Sequence, residues 1–292
     1  MDSTSLAHMK PNKKAQAPRI MADNLLGKNT TYPERFAPEV LFPIPRSKSR
    51  ETLGIAHPPP FSGSDLWNAY EISWLQPNGL PRVAVGELVF DAHSPNLVES
   101  KSLKLFLNSL NNERYESLSA VEDLLERTLG DISGSQVSVS LRAVDDPELP
   151  SAEALPGRCI DAQVLPISSY VVDAGLLRLK RNSVPMVEET LHSHLLRTNC
   201  PVTHQPDWAS VLIRYQGAPI DEAGLLRYLV SFRNHSDYHE QCVERIYHDL
   251  LTHCEPQRLT VQALYTRRGG LDINPFRSND LQEPVRARVW RQ

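Results

Sequence analysis

The sequence is poor in cysteine, has no long apolar run and carries little net charge. Its four cysteines include no C-x-x-C pair, and in a chain of 292 residues such sparse thiols predict a reduced, cytoplasmic protein rather than a disulfide framework. No run approaches the ~18 consecutive apolar residues of a membrane-spanning helix, so we expect no membrane partner. A formal net charge of −4 provides no basic field for direct binding of nucleic acid.

Signatures for nucleotides and metals are also missing. The chain has neither a G-x-G-x-x-G fingerprint nor a Walker A loop, so any dinucleotide would bind outside a Rossmann or P-loop frame. His235, His239 and Cys242 fall near one face of a predicted helix, but no C-x-x-C or H-E-x-x-H frame accompanies them. We therefore predict that the protein holds no metal ion.

Length and composition indicate a globular chain of about two domains, with 40% apolar and 23% charged residues. We predict a mobile leader over residues 1–22, an N-terminal module over 23–157 and a C-terminal module over 158–292. The leader lacks the apolar region of a secretory signal. The acidic, proline-bearing segment "DDPELPSAEALPG" marks the expected join between the modules.

The first module is predicted to contain strands, a pair of helices and a further strand. The segments "EISWL" and "RVAVGELVFDA" are typical of strands. The apolar stripe of the first helix consists of Leu103, Phe106, Leu107 and Leu110. A second helix begins near Leu118 and is expected to stop at Gly130. Alternation over 137–144 predicts a half-buried strand, whereas the dense prolines of 32–63 predict an irregular wrap.

The second module repeats this order. We predict a helix from Val187 to Thr198, because acidic residues open this segment and Arg197 closes it, as a helix dipole favours. A strand at 210–217, two helices of apolar periodicity and an alternating strand at 259–266 follow. Strand, helix, helix, strand thus occurs twice, which predicts an α+β fold of antiparallel sheets with helix pairs on one face.

One loop, "TNCPVTHQPDW", combines a thiol, an imidazole and a carboxylate. Pro201 and Pro206 lie between Cys200 and Asp207, one on each side of His204, and stop regular structure. The loop is either a surface turn with a half-buried structural cysteine or a nucleophile with its proton-transfer partner. Because the predicted helix ends just before Cys200, and a helix C-terminus disfavours negative charge, we expect no resting thiolate. Asp207 or a histidine would then take the proton during attack.

Three further segments combine charged and polar side chains. "VESKSLK" could contact a ligand, or could simply be a helix N-terminus capped by Ser100. "FRNHSDYHEQCVERI" places Glu240 near a helix start, where a carboxylate either complements the dipole or accepts from the N–H donors of a heterocycle. "YTRRGGLDINPFRS" sets two arginines beside two glycines, which suits a phosphate clamp, although surface arginines are usually just solvated.

Taken together, four segments resemble one family. "VESKSLKLFLNSLN", "NCPVTHQPDW", "SFRNHSDYHEQCVERI" and "YTRRGGLDINPFRS" are similar, in order and spacing, to the NADPH-dependent 7-cyano-7-deazaguanine reductases, the nitrile reductases of queuosine biosynthesis. The similarity begins near Leu26 and is greatest to the long, two-module form. It implies tandem tunnelling-fold modules, a homodimer, and reduction of the nitrile to a primary amine with two NADPH.

The resemblance also implies roles for individual residues. Cys200 would add to the nitrile to give a thioimide, Asp207 would act as general acid and base, and His239 would position the nitrile. Glu240 would accept hydrogen bonds from the guanine-like base. Further substrate contacts are implied for Val98, Glu99 and Ser100. NADPH contacts are implied for Ser100, Lys101, Arg268 and Gly269.

Two alternatives stay open at this stage. A related tunnelling-fold cyclohydrolase would bind a similar purine or pterin but would use zinc and water, so stoichiometric zinc would favour it. A purine-binding module without enzymatic activity would bind the deazaguanine and consume no NADPH. The absorbance of NADPH with and without the cyano-deazaguanine separates these possibilities from the reductase.

Overall fold

The computed structural model describes residues 32–180 and 185–292, and the predicted leader at 1–22 lies outside these ranges. Over these ranges the chain forms ten strands and five α-helices. The strands are β1 (Pro43–Pro45), β2 (Ser62–Leu75), β3 (Pro81–Asp91), β4 (Asn96–Val98), β5 (Val137–Arg142), β6 (Arg158–Cys159), β7 (Val187–Asn199), β8 (Pro206–Gly217), β9 (Arg258–Tyr265) and β10 (Leu271–Ser278). The helices are α1 (Arg46–Leu53), α2 (Ser100–Asn108), α3 (Leu118–Ser133), α4 (Glu222–Ser231) and α5 (His239–Cys254).

Eight strands form one sheet in the order β5-β3-β2-β10-β9-β8-β7-β6. Neighbouring strands are antiparallel except β6 and β7, which run parallel. β10 pairs with β2 from Leu271↔Ala69 to Ser278↔Ser62, so strands from both predicted modules belong to one sheet. The predicted boundary between residues 157 and 158 stays a prediction.

Helices cover one face of this sheet. Leu259, Val261 and Ala263 of β9 point into a core that includes residues of α4 and α5. Leu264 points to the opposite face and packs against Val289 near the chain end. Helices α2 and α3 contribute to a second core with β2, β3 and β5. The α+β class with helix pairs on one face is thus confirmed. No helix in the two described ranges is both long and apolar enough to span a bilayer.

The predicted helix from Val187 to Thr198 is wrong, because this segment is strand β7. It pairs with β8 from Val187↔Gly217 to Asn199↔Pro206. Its register shifts between Ser193 and Leu196, and such a bulge breaks the two-residue alternation by which a strand is recognised. The argument that a helix C-terminus disfavours a thiolate at Cys200 therefore loses its basis.

Three smaller predictions also differ from the structure. Helix α3 passes Gly130 and ends at Gly134, which adopts φ 75° and donates its amide hydrogen to the carbonyl of Gly130. The proline-rich segment 32–63 is not wholly irregular, since it contains α1. Strand β10 was not predicted: both of its faces are buried, so its sequence lacks polar alternation, and it contains Pro275.

Candidate active site

A short turn between β7 and β8 holds Cys200. The Cys200 amide donates to the carbonyl of Gln205 (2.9 Å), and the His204 amide donates to the carbonyl of Cys200 (3.0 Å). The Thr203 amide donates to the Cys200 sulfur (3.5 Å). His204 adopts φ 58° and its side chain is exposed, so it shapes the turn. The turn is rigid and presents a half-buried thiol.

Asp207 lies on β8 rather than in the turn, and it is held between two basic side chains. Only 3% of its side chain is exposed; Oδ2 is 3.3 Å from Nε2 of His239, and Oδ1 is 3.1 Å from Nε of Arg268. The imidazole of His239 stacks on Tyr265 with ring centroids 3.8 Å apart and planes 11° apart. Its Nδ1 is buried and has no hydrogen-bond partner within the described ranges. His239 Nδ1 is therefore a free position at which the Asp207–His239 pair can take up or release a proton.

The start of α5 is tied to the end of β7. The Asn199 amide donates to the carbonyl of His235 (2.7 Å), and the Asp237 amide donates to the carbonyl of Asn199 (3.2 Å). These bonds hold Tyr238 and the first turn of α5 next to the turn that contains Cys200. Burial, followed by the charges of Glu99, Cys200 and Glu240, raises the pKa of Tyr238. Tyr238 thus lies near Glu99, Cys200 and Glu240, which belong to three different segments singled out in the sequence.

Glu240 is a buried carboxyl, 3% exposed, on the first turn of α5. Burial raises its pKa to about 8, and the charge of Asp65 contributes in the same direction. Its side chain makes no ion pair with another described residue, and no hydrogen bond to one is found. A hydrogen bond from its own backbone amide offsets part of the effect of burial. A buried carboxyl with no partner from another residue is costly, which suits a group that receives further donors from a ligand.

The cations nearest to Glu240 are committed to other carboxylates. Arg46 lies 2.6 Å from Asp65, and Arg277 lies 2.8 Å from Asp65 and 2.9 Å from Glu244. All four side chains are buried, and the two arginines lower the pKa of Glu240 less than burial raises it. Because these residues come from α1, β2, β10 and α5, the network fixes the seam between the modules beneath Glu240.

Glu99 caps helix α2. Its carboxylate accepts from the amides of Lys101 (3.1 Å) and Ser102 (2.8 Å), so Glu99, and not Ser100, is the N-cap. Burial raises its pKa, although both backbone bonds oppose this. A carboxylate has about four lone-pair sites. The oxygens of Glu99 can therefore cap the helix and still accept from a ligand in the cleft.

The Arg268–Leu271 turn carries two glycines that its geometry requires. Gly269 and Gly270 adopt φ 60° and 80°, and a Cβ on Gly269 would approach the Lys104 side chain to 3.1 Å. Lys104 Nζ donates to the Gly269 carbonyl (2.5 Å). The turn is thus attached to α2, the helix on which the predicted NADPH residues Ser100 and Lys101 lie.

One cleft of about 380 Å³, partly open to solvent, brings most of the predicted site together. The predicted residues on its walls are Val98, Glu99, Ser100, Cys200, Asp207, His239, Glu240 and Arg268. Lys101 and Gly269 are not on its walls, and neither is His204.

Six further residues line the cleft and were not predicted: Trp67, Leu97, Pro201, Asp237, Tyr238 and Ile273. Asp237 and Tyr238 belong to the segment "SFRNHSDYHEQCVERI", so their place beside His239 was a usable signal. Trp67 and Ile273 are partners across β2 and β10. No local pattern pointed to that pairing.

Comparison with known proteins identifies the family. Residues 32–141 match the family model described as nitrile reductase, 7-cyano-7-deazaguanine-reductase N-term, and residues 206–284 match the one described as QueF-like protein. An NADPH-dependent 7-cyano-7-deazaguanine reductase of Coxiella burnetii is 50% identical over 87% of this chain and 91% of its own. One of Burkholderia ambifaria is 52% identical over 91% of this chain and 97% of its own. The chain therefore belongs to the NADPH-dependent 7-cyano-7-deazaguanine reductase family, in its form with two tandem modules.

Proposed function

We propose that this chain reduces the nitrile of 7-cyano-7-deazaguanine to the aminomethyl group, using NADPH and a thioimide on Cys200. The observation that carries the proposal is one cleft lined by a thiol, the Asp207–His239 pair and the buried carboxyl of Glu240. The names of its relatives state both the reductase activity and the dependence on NADPH. We further propose that the amine serves queuosine synthesis and that the protein acts as a homodimer.

Substrate recognition centres on Glu240. A guanine-like base presents a ring N–H and an exocyclic amino group side by side, and an ionised carboxylate can accept from both. Glu99 offers its remaining lone pairs from the start of α2. Binding supplies further donors to the buried Glu240, so part of the affinity comes from pairing a carboxyl that has no partner from another described residue.

Covalent attachment comes first because a nitrile carbon is a poor hydride acceptor. The Cys200 sulfur forms a bond to this carbon, and the C≡N bond becomes the C=N bond of a thioimide. The thiol proton passes to the Asp207–His239 pair and from there to the nitrile nitrogen. Arg268 keeps Asp207 in place during this transfer, since its Nε lies 3.1 Å from Oδ1.

Two reductive steps follow. NADPH, when bound, supplies one hydride to the thioimide carbon and a second NADPH supplies one to the later imine. The Asp207–His239 pair delivers a proton to nitrogen after each addition. Between them, the C–S bond breaks and its electron pair returns to the Cys200 sulfur. The nitrogen gives one proton back to this sulfur through the Asp207–His239 pair, and the C=N bond of a free imine forms. The second addition leaves the primary amine.

The residues proposed for NADPH fit an anionic ligand. Ser100 opens α2, where the helix dipole favours negative charge. Arg268 is one-third exposed at the cleft, and Lys101 follows Ser100 on the helix. Gly269 lets the turn approach α2 closely. Two positive charges at this position would favour the 2′-phosphate that distinguishes NADPH from NADH.

The stoichiometry of the reaction is the first test. We expect about two NADPH to be oxidised for each amine formed, because both the thioimide and the imine carbon need a hydride. Absorbance of NADPH and chromatography of the product measure the two quantities in one reaction. A ratio of one, or an aldehyde released by hydrolysis of the imine as the main product, would contradict the two-hydride scheme.

Arg268→Ala tests the cofactor contact. The KM for NADPH should rise about tenfold, as expected for a lost charged hydrogen bond of about 1.5 kcal/mol, while the KM for NADH should change little. Because Arg268 also contacts Asp207, kcat should fall by a similar factor with either cofactor. Arg267→Ala is the matched control, since Arg267 lies over the Tyr70 ring, 4.1 Å from its centroid. Equal rises in both KM values would show that Arg268 does not read the 2′-phosphate.

A further inference from the structure

We propose that Cys159, His192 and His194 form a zinc site outside the active-site cleft. One ligand atom from each residue lies within 4.8 Å of the others. Cys159 on β6 is the parallel partner of His192 on β7, and the bulge of β7 places the His194 ring beside that of His192, with ring centroids 5.2 Å apart. Cys200 comes six residues after His194, about 20 Å at ~3.3 Å per residue, so the two sites are separate.

Hydrogen bonds orient both imidazoles as ligands. His192 Nδ1 lies 3.1 Å from the carbonyl of Pro156; a carbonyl only accepts, so Nδ1 carries the proton and Nε2 keeps a free lone pair. His194 Nδ1 lies 2.7 Å from the hydroxyl of Ser210. Metal-binding histidines almost always use their second ring nitrogen in this way. The two Nε2 atoms are therefore the proposed ligands.

The local charges suit a dication. The Asp161 carboxylate accepts from the Ser193 hydroxyl (2.6 Å) and from the His194 amide (2.8 Å), which places a negative charge beside the site. Arg291 donates to the carbonyl of His194 (2.6 Å), and its positive charge partly offsets the negative charge of Asp161. On binding, the Cys159 thiol loses its proton to solvent and adds a second negative charge.

The ligand set favours zinc. One thiolate and two imidazoles are ligands that zinc prefers, and tetrahedral bonds of about 2.0–2.3 Å place neighbouring ligand atoms about 3.3–3.6 Å apart. The ligand atoms of Cys159, His192 and His194 are at most 4.8 Å apart, so these distances need to shorten by at most about 1.5 Å. Cys159 is exposed, so it can turn and leaves an entry path. Three protein ligands leave one position for water.

This site was missed because its cysteine is far from its histidines in sequence. The H-x-H pair of His192 and His194 was concealed by the wrong helix prediction, since two residues apart on a helix do not share a face. Cys159 is exposed and lies in none of the hydrophobic cores of the described residues. His235, His239 and Cys242, which were not predicted to bind a metal, are not among the groups of described residues close enough to do so.

The test is metal binding by the full-length protein carrying Cys200→Ala, which removes the other accessible thiol. We expect about one zinc per chain to remain after dialysis, and cobalt to give a thiolate-to-metal absorption band. Adding Cys159→Ser should abolish the band and weaken zinc binding at least tenfold. His194→Gln should do the same, whereas the exposed His253→Gln should leave both unchanged.

Alkylation mapped to peptides provides a second readout. Zinc should protect Cys159 from iodoacetamide in the native sequence but should leave the labelling of Cys200 unchanged. No zinc retained after dialysis, or zinc bound equally well by Cys159→Ser, would overturn the proposal. The total zinc content alone no longer separates a reductase from a cyclohydrolase, because zinc at Cys159 would be compatible with either.

Discussion

Cys200→Ala is expected to abolish turnover and to remove the covalent adduct that the native protein forms with the nitrile in the absence of NADPH. Among the described residues no other thiol lines the cleft, so nothing else there can supply the sulfur that activates the nitrile carbon. Loss of a catalytic nucleophile costs about 10⁴-fold or more in kcat. The variant should still bind the substrate, because Glu240 and Glu99 are unchanged.

Mass spectrometry of the intact protein measures the adduct. Addition to a nitrile expels no leaving group, so the native protein should gain the whole mass of the substrate. Peptide mapping should place this mass on Cys200. Cys159→Ser is the matched control, because it removes an exposed thiol outside the cleft and should leave adduct and turnover unchanged. An adduct on Cys159, Cys242 or Cys254, or full activity of Cys200→Ala, would contradict the mechanism.

Asp207→Asn separates proton transfer from nucleophilic attack. The amide keeps the size of the side chain but cannot take the thiol proton, so the adduct should form more slowly by about 10²-fold or more. The Kd for the substrate should be nearly equal for Cys200→Ala and for the double variant that carries both Cys200→Ala and Asp207→Asn. Rapid adduct formation by Asp207→Asn would assign the proton transfer to another group.

The sequence predicted the residues of the cleft better than it predicted the elements that carry them. Cys200, Asp207, His239 and Glu240 occur in short segments whose chemistry is visible locally, and all four line one cleft. Strand β7 was predicted as a helix because charge order and a bulge concealed its alternation. Local charge preferences are worth a fraction of 1 kcal/mol each, far less than the pairing of a long strand with its neighbour.

The environment of Glu240 could not be predicted locally at all. Asp65 and Arg46 come from the first module, whereas Arg277 comes from β10, which was not predicted. Only the pairing of β2 with β10 brings these charges together. Burial, together with the charge of Asp65, raises the pKa of Glu240, and the two arginines oppose this. This balance depends on the seam between the modules, although the residue itself was recognisable in its segment.

Glu240→Gln is expected to weaken substrate binding strongly above pH 8. The amide offers one acceptor and one donor, so one N–H of the base is left unmatched in a buried site. The loss should be about 2–3 kcal/mol, or about 30- to 150-fold in Kd. Calorimetry with Cys200→Ala as background measures this without covalent chemistry. Unchanged affinity would remove Glu240 from the substrate site.

The pH dependence of binding tests the charge of Glu240 directly. Its pKa of about 8 means that the carboxyl of the free protein is mostly protonated at pH 7, whereas the bound base needs the carboxylate. The Kd should therefore rise about tenfold for each pH unit below about 8 and stay level above it. Binding at pH 7 should release close to one proton, which calorimetry in two buffers of different ionisation enthalpy counts. Glu240→Gln should show neither this pH dependence of the Kd nor the release of a proton on binding.

Thermal unfolding completes the test, because it separates recognition from a damaged fold. A carboxyl whose pKa is raised on folding lowers the free energy of unfolding as pH rises from its ordinary value of 4.5 to about 8. Glu240→Gln removes this cost, so at pH 8 its melting temperature should equal or exceed that of the native chain. Weak binding together with a higher melting temperature would mean that Glu240 is kept for the substrate at the expense of stability. A lower melting temperature at pH 8 would instead show that the carboxylate has a structural partner.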